Sequence, residues 1–235
     1  QAELPARAEV KALQAQINPH FLFNSLNTIA ALTRTDPAKA RELLREFSIY
    51  FRRTLDNPET RIALSSELEH TQRYLKIERA RFGEDRIVVV ETVEEGCGDL
   101  LVPSFLVQPI VENAVRHAMR DEGPLHIDIA VARDRGDILV SVTDDGLGMD
   151  KETASRLLEE ASSTTPREGG TGIALKNVAE RVQRFFGTGS CVDIVSKLGE
   201  GTCVTLRLGE AANYLAEQQA SAGMAEHVDP VDGLE

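Results

Sequence analysis

The segment Gln108-Pro-Ile-Val-Glu-Asn-Ala-Val-Arg-His-Ala puts a carboxylate, an amide and an imidazole on one predicted helix. At 3.6 residues per turn, Ile110, Ala114 and His117 or Ala118 share a face, while Glu112, Asn113 and Arg116 turn toward another. Asn113 offers a neutral amide oxygen suited to Mg²⁺, which keeps most of its waters and takes few protein ligands. Glu112 can accept a proton from an attacking group. A Glu and an Asn on a helix also describe an ordinary solvated face.

Two glycine-bearing segments follow. In Val142-Thr-Asp-Asp-Gly-Leu-Gly-Met, a predicted strand ends at Asp144, with Gly146 and Gly148 at alternate positions after it. A carboxylate there can accept a hydrogen bond from an exocyclic amine, and the glycines let backbone approach a flat base or a phosphate. The same residues suit a plain strand-to-helix turn. In Gly169-Gly-Thr-Gly-Ile-Ala-Leu-Lys-Asn-Val, Gly170 and Gly172 run into a helix whose N-terminal amides favour phosphate, and Lys176 adds charge. The preceding Ala161-Ser-Ser-Thr-Thr-Pro-Arg-Glu is small and polar, as a mobile lid or a simple loop would be.

Near the start, His20 follows Pro19 beside an apolar stripe. Proline lacks an N–H and clashes one turn back, so a helix should bend just before His20 and present its ring. Imidazole near neutral pH is a competent nucleophile. Taken alone, a histidine beside an apolar stripe is more often a partly buried structural residue. Asn24, four residues on, can orient that ring or pack within a bundle.

These groups need elements to hold them. Val10, Leu13, Ile17, Phe21 and Leu32 fall near one helical face, and Leu22, Leu26 and Ile29 form a second after Pro19. One stripe becoming two predicts a coiled coil entering a four-helix bundle, each chain of a homodimer supplying a hairpin. Pro37 after Asp36 opens the second helix, with Leu43, Leu44, Phe47, Tyr50, Phe51 and Leu55 as its partner face. A monomeric hairpin packed on the second domain is the alternative. A connecting helix, N-capped by Ser65 or Ser66, runs to Gly83. Strands are predicted at 86–93, 125–132, 137–143, 192–196 and 203–208, with helices at 104–119 and 175–186. The class is α+β: a helical hairpin, then a two-layer α/β sandwich with a largely antiparallel sheet.

Composition narrows the partners. A formal charge of -12 disfavours direct nucleic-acid binding, which needs clustered Lys and Arg. Residues 210–235 hold six acidic residues and no Lys or Arg, and read as a disordered tail apart from a possible short helix over 213–219. Cys97, Cys191 and Cys203 lack metal-ligand spacing and read as buried thiols. No apolar run reaches the roughly 18 residues of a membrane span.

In order along the chain, the three segments around Asn113, Asp144 and Gly170 resemble the N, G1 and G2 boxes of the Bergerat-type (GHKL) ATPase fold, and Gly199-Glu-Gly-Thr resembles its last G-x-G-T strand. That resemblance implies Mg²⁺ ligation by Asn113, recognition of the adenine amine of ATP by Asp144, and a lid and phosphate site shaped by Gly146, Gly148, Gly170 and Gly172. It also implies that Thr202 helps hold the adenine. Ala174 departs from it, standing where many relatives carry a third glycine. Upstream, Leu13-Gln-Ala-Gln-Ile-Asn-Pro-His-Phe-Leu-Phe-Asn and Tyr74-Leu-Lys-Ile-Glu-Arg-Ala-Arg-Phe-Gly resemble LytS/YehU-like sensor histidine kinases.

The resemblance implies autophosphorylation of His20 from Mg-ATP and transfer to an Asp of a response regulator receiver domain. Many histidine kinases carry an acid directly after the histidine; Phe21 stands there, which leaves Glu112 as the candidate general base. By the same likeness Asn24 takes an orienting or phosphatase role. The expected layout is 1–62 for dimerisation and phosphotransfer, 63–209 for ATP binding with the connecting helix, and 210–235 for the tail. An N-terminal sensor domain is expected to precede this cytoplasmic part of a membrane-anchored protein. The rivals are an anti-sigma-type serine kinase and a catalytically silent ATP-binding scaffold.

Overall fold

The computed structural model describes residues 19–55, 57, 60–119, 122–162 and 172–215. Helix α1 (Pro19–Thr35) and helix α2 (Pro37–Thr54) form the hairpin. Asp36 caps α2 by accepting the Lys39 amide proton at 3.0 Å, and Pro37 opens the helix as its type and place predict. The coiled-coil positions Val10, Leu13 and Ile17, and the turn upstream of Pro19 against which the bend expected just before His20 would show, lie outside the described residues.

The stripe on α1 differs from the one predicted. Phe21, Ser25 and Ile29 are buried together, because a spacing of four keeps residues on one face, so Ile29 belongs with Phe21 rather than with Leu26. On α2 the buried set is Ala40, Leu43, Phe47, Tyr50 and Thr54; Leu44 and Leu55 face outward, as do Phe23 and Leu26 on α1.

Strand β1 (Arg61–Ala63) pairs with β3 (Leu101–Pro103) and leads straight into α3 (Leu64–Phe82). Ala63 therefore occupies the cap, and Ser65 and Ser66 fall inside the first turn instead of capping it. Gly83, at φ 114°, ends the helix as expected. The main sheet has the order β2 (Ile87–Val93), β4 (Leu125–Asp134), β5 (Asp137–Asp144), β7 (Gly201–Leu208), β6 (Cys191–Lys197). Only the β2–β4 pair is parallel. Alternate residues Leu125, Ile127, Ile129 and Val131, and Ile138, Val140 and Val142, are buried on the face covered by α4 (Gln108–Ala118), α5 (Lys151–Ser162) and α6 (Gly172–Phe186). His126 and Asp128 point to the open face.

Helix α4 begins four residues later than its pattern predicts, for a specific reason. The buried Glu67 carboxylate accepts the amide protons of Phe105 (3.1 Å), Val107 (3.0 Å) and Gln108 (3.4 Å). Arg181 holds the carbonyls of Ser104 and Phe105 from the other side, with Phe105 in the left-handed region at φ 59°. The chain wraps around the carboxylate before the helix can start.

Two further readings are corrected. Residues 211–215 form a helical turn with Ala211 and Leu215 fully buried, so apolar burial carries order past residue 210. Of the three thiols only Cys97 is buried; Cys191 begins the edge strand β6, and Cys203 lies on the face of β7 opposite the buried Val204, Leu206 and Leu208. Among the described residues no cluster of metal-ligating groups occurs, and no helix is long and apolar enough to cross a membrane.

The hairpin packs on α3 and reaches α4 through the Tyr50 hydroxyl, and its buried residues join those of the sheet in one contiguous core. Phe21 meets Tyr50 and Tyr74, both with ring centroids at 5.1 Å. Ion pairs Arg73–Glu46, Lys76–Glu42 and Lys39–Glu84 flank this contact.

Candidate functional site

A cavity of about 230 Å³ opens between α4, α5 and the ends of β5, β6 and β7. Its walls are largely apolar (Ile110, Ala114, Val142, Met149, Leu157, Leu175, Ile194, Val204), and polar groups line it from four elements: Asn113 and His117 on α4, Asp144 on β5, Thr153 and Arg156 on α5, and Thr202 on β7. Asp144 is only 7% exposed, and its Oδ1 accepts the Gly146 amide proton at 3.0 Å. The Thr202 hydroxyl shares a hydrogen bond with Ser196 at 2.8 Å, and Ser196 also accepts the Met149 amide proton and donates to the Gly201 carbonyl.

The glycines act here through close packing. A Cβ at Gly146 would lie 2.2 Å from the Ala118 Cβ, and one at Gly148 2.0 Å from the Lys197 carbonyl oxygen. Gly201, at φ +100°, passes so near the end of β5 that a Cβ would fall 1.9 Å from the Asp144 carbonyl oxygen. Of the predicted site residues, Asn113, Asp144, Gly148 and Thr202 line the cavity, and Gly146 fixes the turn behind it. Gly172 begins α6; Gly170 and most of the proposed lid, residues 163–168, lie outside the described residues. Lys176 stands 3.9 Å from Glu180 one turn on, and is not among the lining residues.

Sequence reasoning missed Thr153, Arg156 and Leu157, because α5 itself was not predicted. The signal was Asp150, which caps that helix by accepting the Thr153 amide proton at 2.8 Å. His117, named only as part of a helical face, also lines the cavity, and burial lowers its pKa.

His20 and Glu112 lie elsewhere. His20 is exposed on α1, with the Asn24 amide nitrogen 3.2 Å from Nδ1 and 3.1 Å from Nε2, so whichever ring nitrogen lacks a proton can accept from it. Glu112 leaves α4 on the flank opposite the cavity and meets the hairpin. Its Oε1 accepts from the Tyr50 hydroxyl at 3.2 Å and from the Gln108 amide. Burial raises the Glu112 pKa, and these two hydrogen bonds partly offset that.

Residues 8–87 match the family described as Histidine kinase, and residues 98–212 the one described as Histidine kinase-, DNA gyrase B-, and HSP90-like ATPase. The Sensor protein LytS of Bacillus cereus is 42% identical over 87% of this chain and 34% of its own length. The chain belongs to the LytS-like sensor histidine kinases. The Bacillus subtilis LytS is 38% identical over 88% of the chain and 35% of its own length, and the Sensor histidine kinase/phosphatase LytS of Staphylococcus aureus is 41% identical over 83% and 33%. This LytS-like chain therefore spans about a third of the length of the curated relatives it matches. The ATPase-like match covers most of the α/β sandwich that carries the cavity, and the histidine kinase match covers the hairpin together with α3, the helix that the expected layout grouped with ATP binding.

Proposed function

We propose that this chain is the catalytic core of a two-component sensor histidine kinase, binding Mg-ATP in the cavity and phosphorylating His20. The observation that carries the reading is the convergence of Asp144, Thr202 and Asn113 on one cavity with largely apolar walls, which His117, Thr153 and Arg156 also line. Apolar walls suit the faces of a purine, and a buried carboxylate suits its exocyclic amine. Asn113 presents the neutral oxygen that Mg²⁺ takes alongside phosphate and water, and the bound ion would supply neutralisation of phosphate charge.

In the reaction a His20 ring nitrogen attacks the γ-phosphorus, the N–P bond forms, and the bond to the bridging oxygen of ADP breaks. The ring proton passes to Glu112, and Asn24 sets the ring orientation. The phosphoryl group then moves to an Asp of a response regulator. Exposed Phe23, Leu26, Leu44 and Leu55 support a homodimeric four-helix bundle, because apolar residues at these spacings need a partner surface. The layout proposed is 1–62 for dimerisation and phosphotransfer and 63–209 for ATP binding. The setting proposed is the cytoplasmic output part of a longer, membrane-anchored sensor, supported by the share of the relatives' length that the chain spans.

The test is incubation with Mg²⁺ and γ-labelled ATP, then acid and base treatment. Acid-labile, base-stable label is expected on the wild type, absent from His20→Gln and strongly reduced in Asn113→Asp. Label that survives in His20→Gln would overturn the assignment.

A further inference from the structure

Between His20 and the cavity lies a joint made by Tyr50. The residue after His20, Phe21, packs its ring on that of Tyr50, and His70 stacks on the same ring at 4.9 Å with planes 9° apart. Packing thus fixes the ring, and hydrogen bonds fix its far end. The Tyr50 hydroxyl donates to Glu112 Oε1 and accepts from Gln108 Nε2 at 2.8 Å, while Gln108 donates to that same carboxylate oxygen. Both hydrogen bonds fall on Oε1, and among the described residues none is made to Oε2.

We propose that Tyr50 is a positioning residue for phosphoryl transfer: it anchors one oxygen of Glu112 so that the other faces out to take the His20 proton, and through its ring contact with Phe21 it ties that carboxylate to the hairpin bearing the histidine. The inference rests on Glu112 being the proton acceptor. Two physical points favour it. Burial, and then the adjacent Glu112 carboxylate, raise the Tyr50 pKa well above its ordinary value, so the residue stays a phenol and can only donate to Glu112. A carboxylate held by two donors on one oxygen also loses little orientational freedom when the reaction begins.

The experiment is a pH–rate profile of His20 labelling in the full chain with Mg-ATP, for the wild type, Tyr50→Phe, Gln108→Leu and Glu112→Gln. Tyr50→Phe keeps the ring packing and removes one hydrogen bond that favours the ionised carboxylate. Its kcat should fall about tenfold with the KM for ATP unchanged, and its acidic limb should move to higher pH. The other titratable and charged groups at this joint are His70, Tyr74 and Glu78 from α3, Glu78 being paired with Arg81, and Arg116 on the helix of Glu112; none is itself substituted in these variants.

Gln108→Leu keeps the aromatic rings and removes the second hydrogen bond to Glu112 together with the donor to the Tyr50 hydroxyl; it should move the limb the same way, which keeps the test open if Tyr50→Phe folds poorly. A wild-type profile in both Tyr50→Phe and Gln108→Leu, with Glu112→Gln inactive, would overturn the role of Tyr50 alone. Full activity in Glu112→Gln would remove the proton acceptor itself, and the positioning role with it.

Discussion

Asp144 and Thr202 stand directly opposite each other where β5 and β7 pair antiparallel, and both line the same cavity. Cross-strand pairing brings together a carboxylate and a hydroxyl that are far apart in sequence. Changing Asp144 to Asn keeps the shape but replaces a charged acceptor with an amide. Nucleotide affinity should fall roughly 10- to 100-fold, the effect of losing a charge-assisted hydrogen bond of about 1.5–3 kcal/mol. Titration with a fluorescent ATP analogue checks this; unchanged affinity would show that the carboxylate does not read the base.

The two glycines of the β6–β7 turn should respond differently to alanine. Gly199 has φ +81° with open space around it, so Gly199→Ala costs on the order of 1 kcal/mol of backbone strain. Gly201→Ala adds to similar strain a collision with the Asp144 carbonyl, and should cost more than about 2 kcal/mol. Urea unfolding of the two variants decides it, and equal losses would contradict the close approach.

His70 gives the fold a pH dependence. Burial, then the charges of Arg53 and Arg73, lower its pKa from 6.5 to about 4. Its folded pKa is depressed, so the unfolded chain binds the extra proton first. The contribution to stability is present in full above pH 6.5 and is lost as pH falls toward 4, by at most roughly 3 kcal/mol. Chemical unfolding at pH 7 and pH 5 should show a smaller drop in His70→Gln than in the wild type; parallel drops would show that another group titrates.

Glu67 sets where α4 starts, and with it the bearings of Glu112 and Asn113. Glu67→Ala leaves buried amides of Phe105, Val107 and Gln108 without their acceptor, at a cost of about 3 kcal/mol or more. Glu67→Gln should lie between, since an amide accepts through one oxygen only. Differential scanning calorimetry supplies the ranking, and a wild-type Tm in Glu67→Ala would refute the role.

The sheet and helices were legible because alternation in β4 and β5 and the punctuation at Asp36, Pro37 and Gly83 are local signals. Asn113, Asp144 and Thr202 could be singled out by residue type and by resemblance. Their convergence depends on a register between strands nearly sixty residues apart, which no local pattern encodes. The start of α4 was misjudged for the same reason, since Glu67 acts from forty residues upstream. Tyr50 looked like one more apolar position on α2, and its hydroxyl gains meaning only once the hairpin lies against α4.

At the base of the cavity, main chain rests on main chain: the positions of Gly148 and Gly201 leave no room for a side chain against the carbonyls of Lys197 and Asp144. The pocket thus has an interchangeable lining on an invariant foundation. Exchanges at wall positions such as Leu157 or Ile194 can retune which base is preferred without displacing Asp144, so new nucleotide selectivity is open to selection through single steps that leave the scaffold intact.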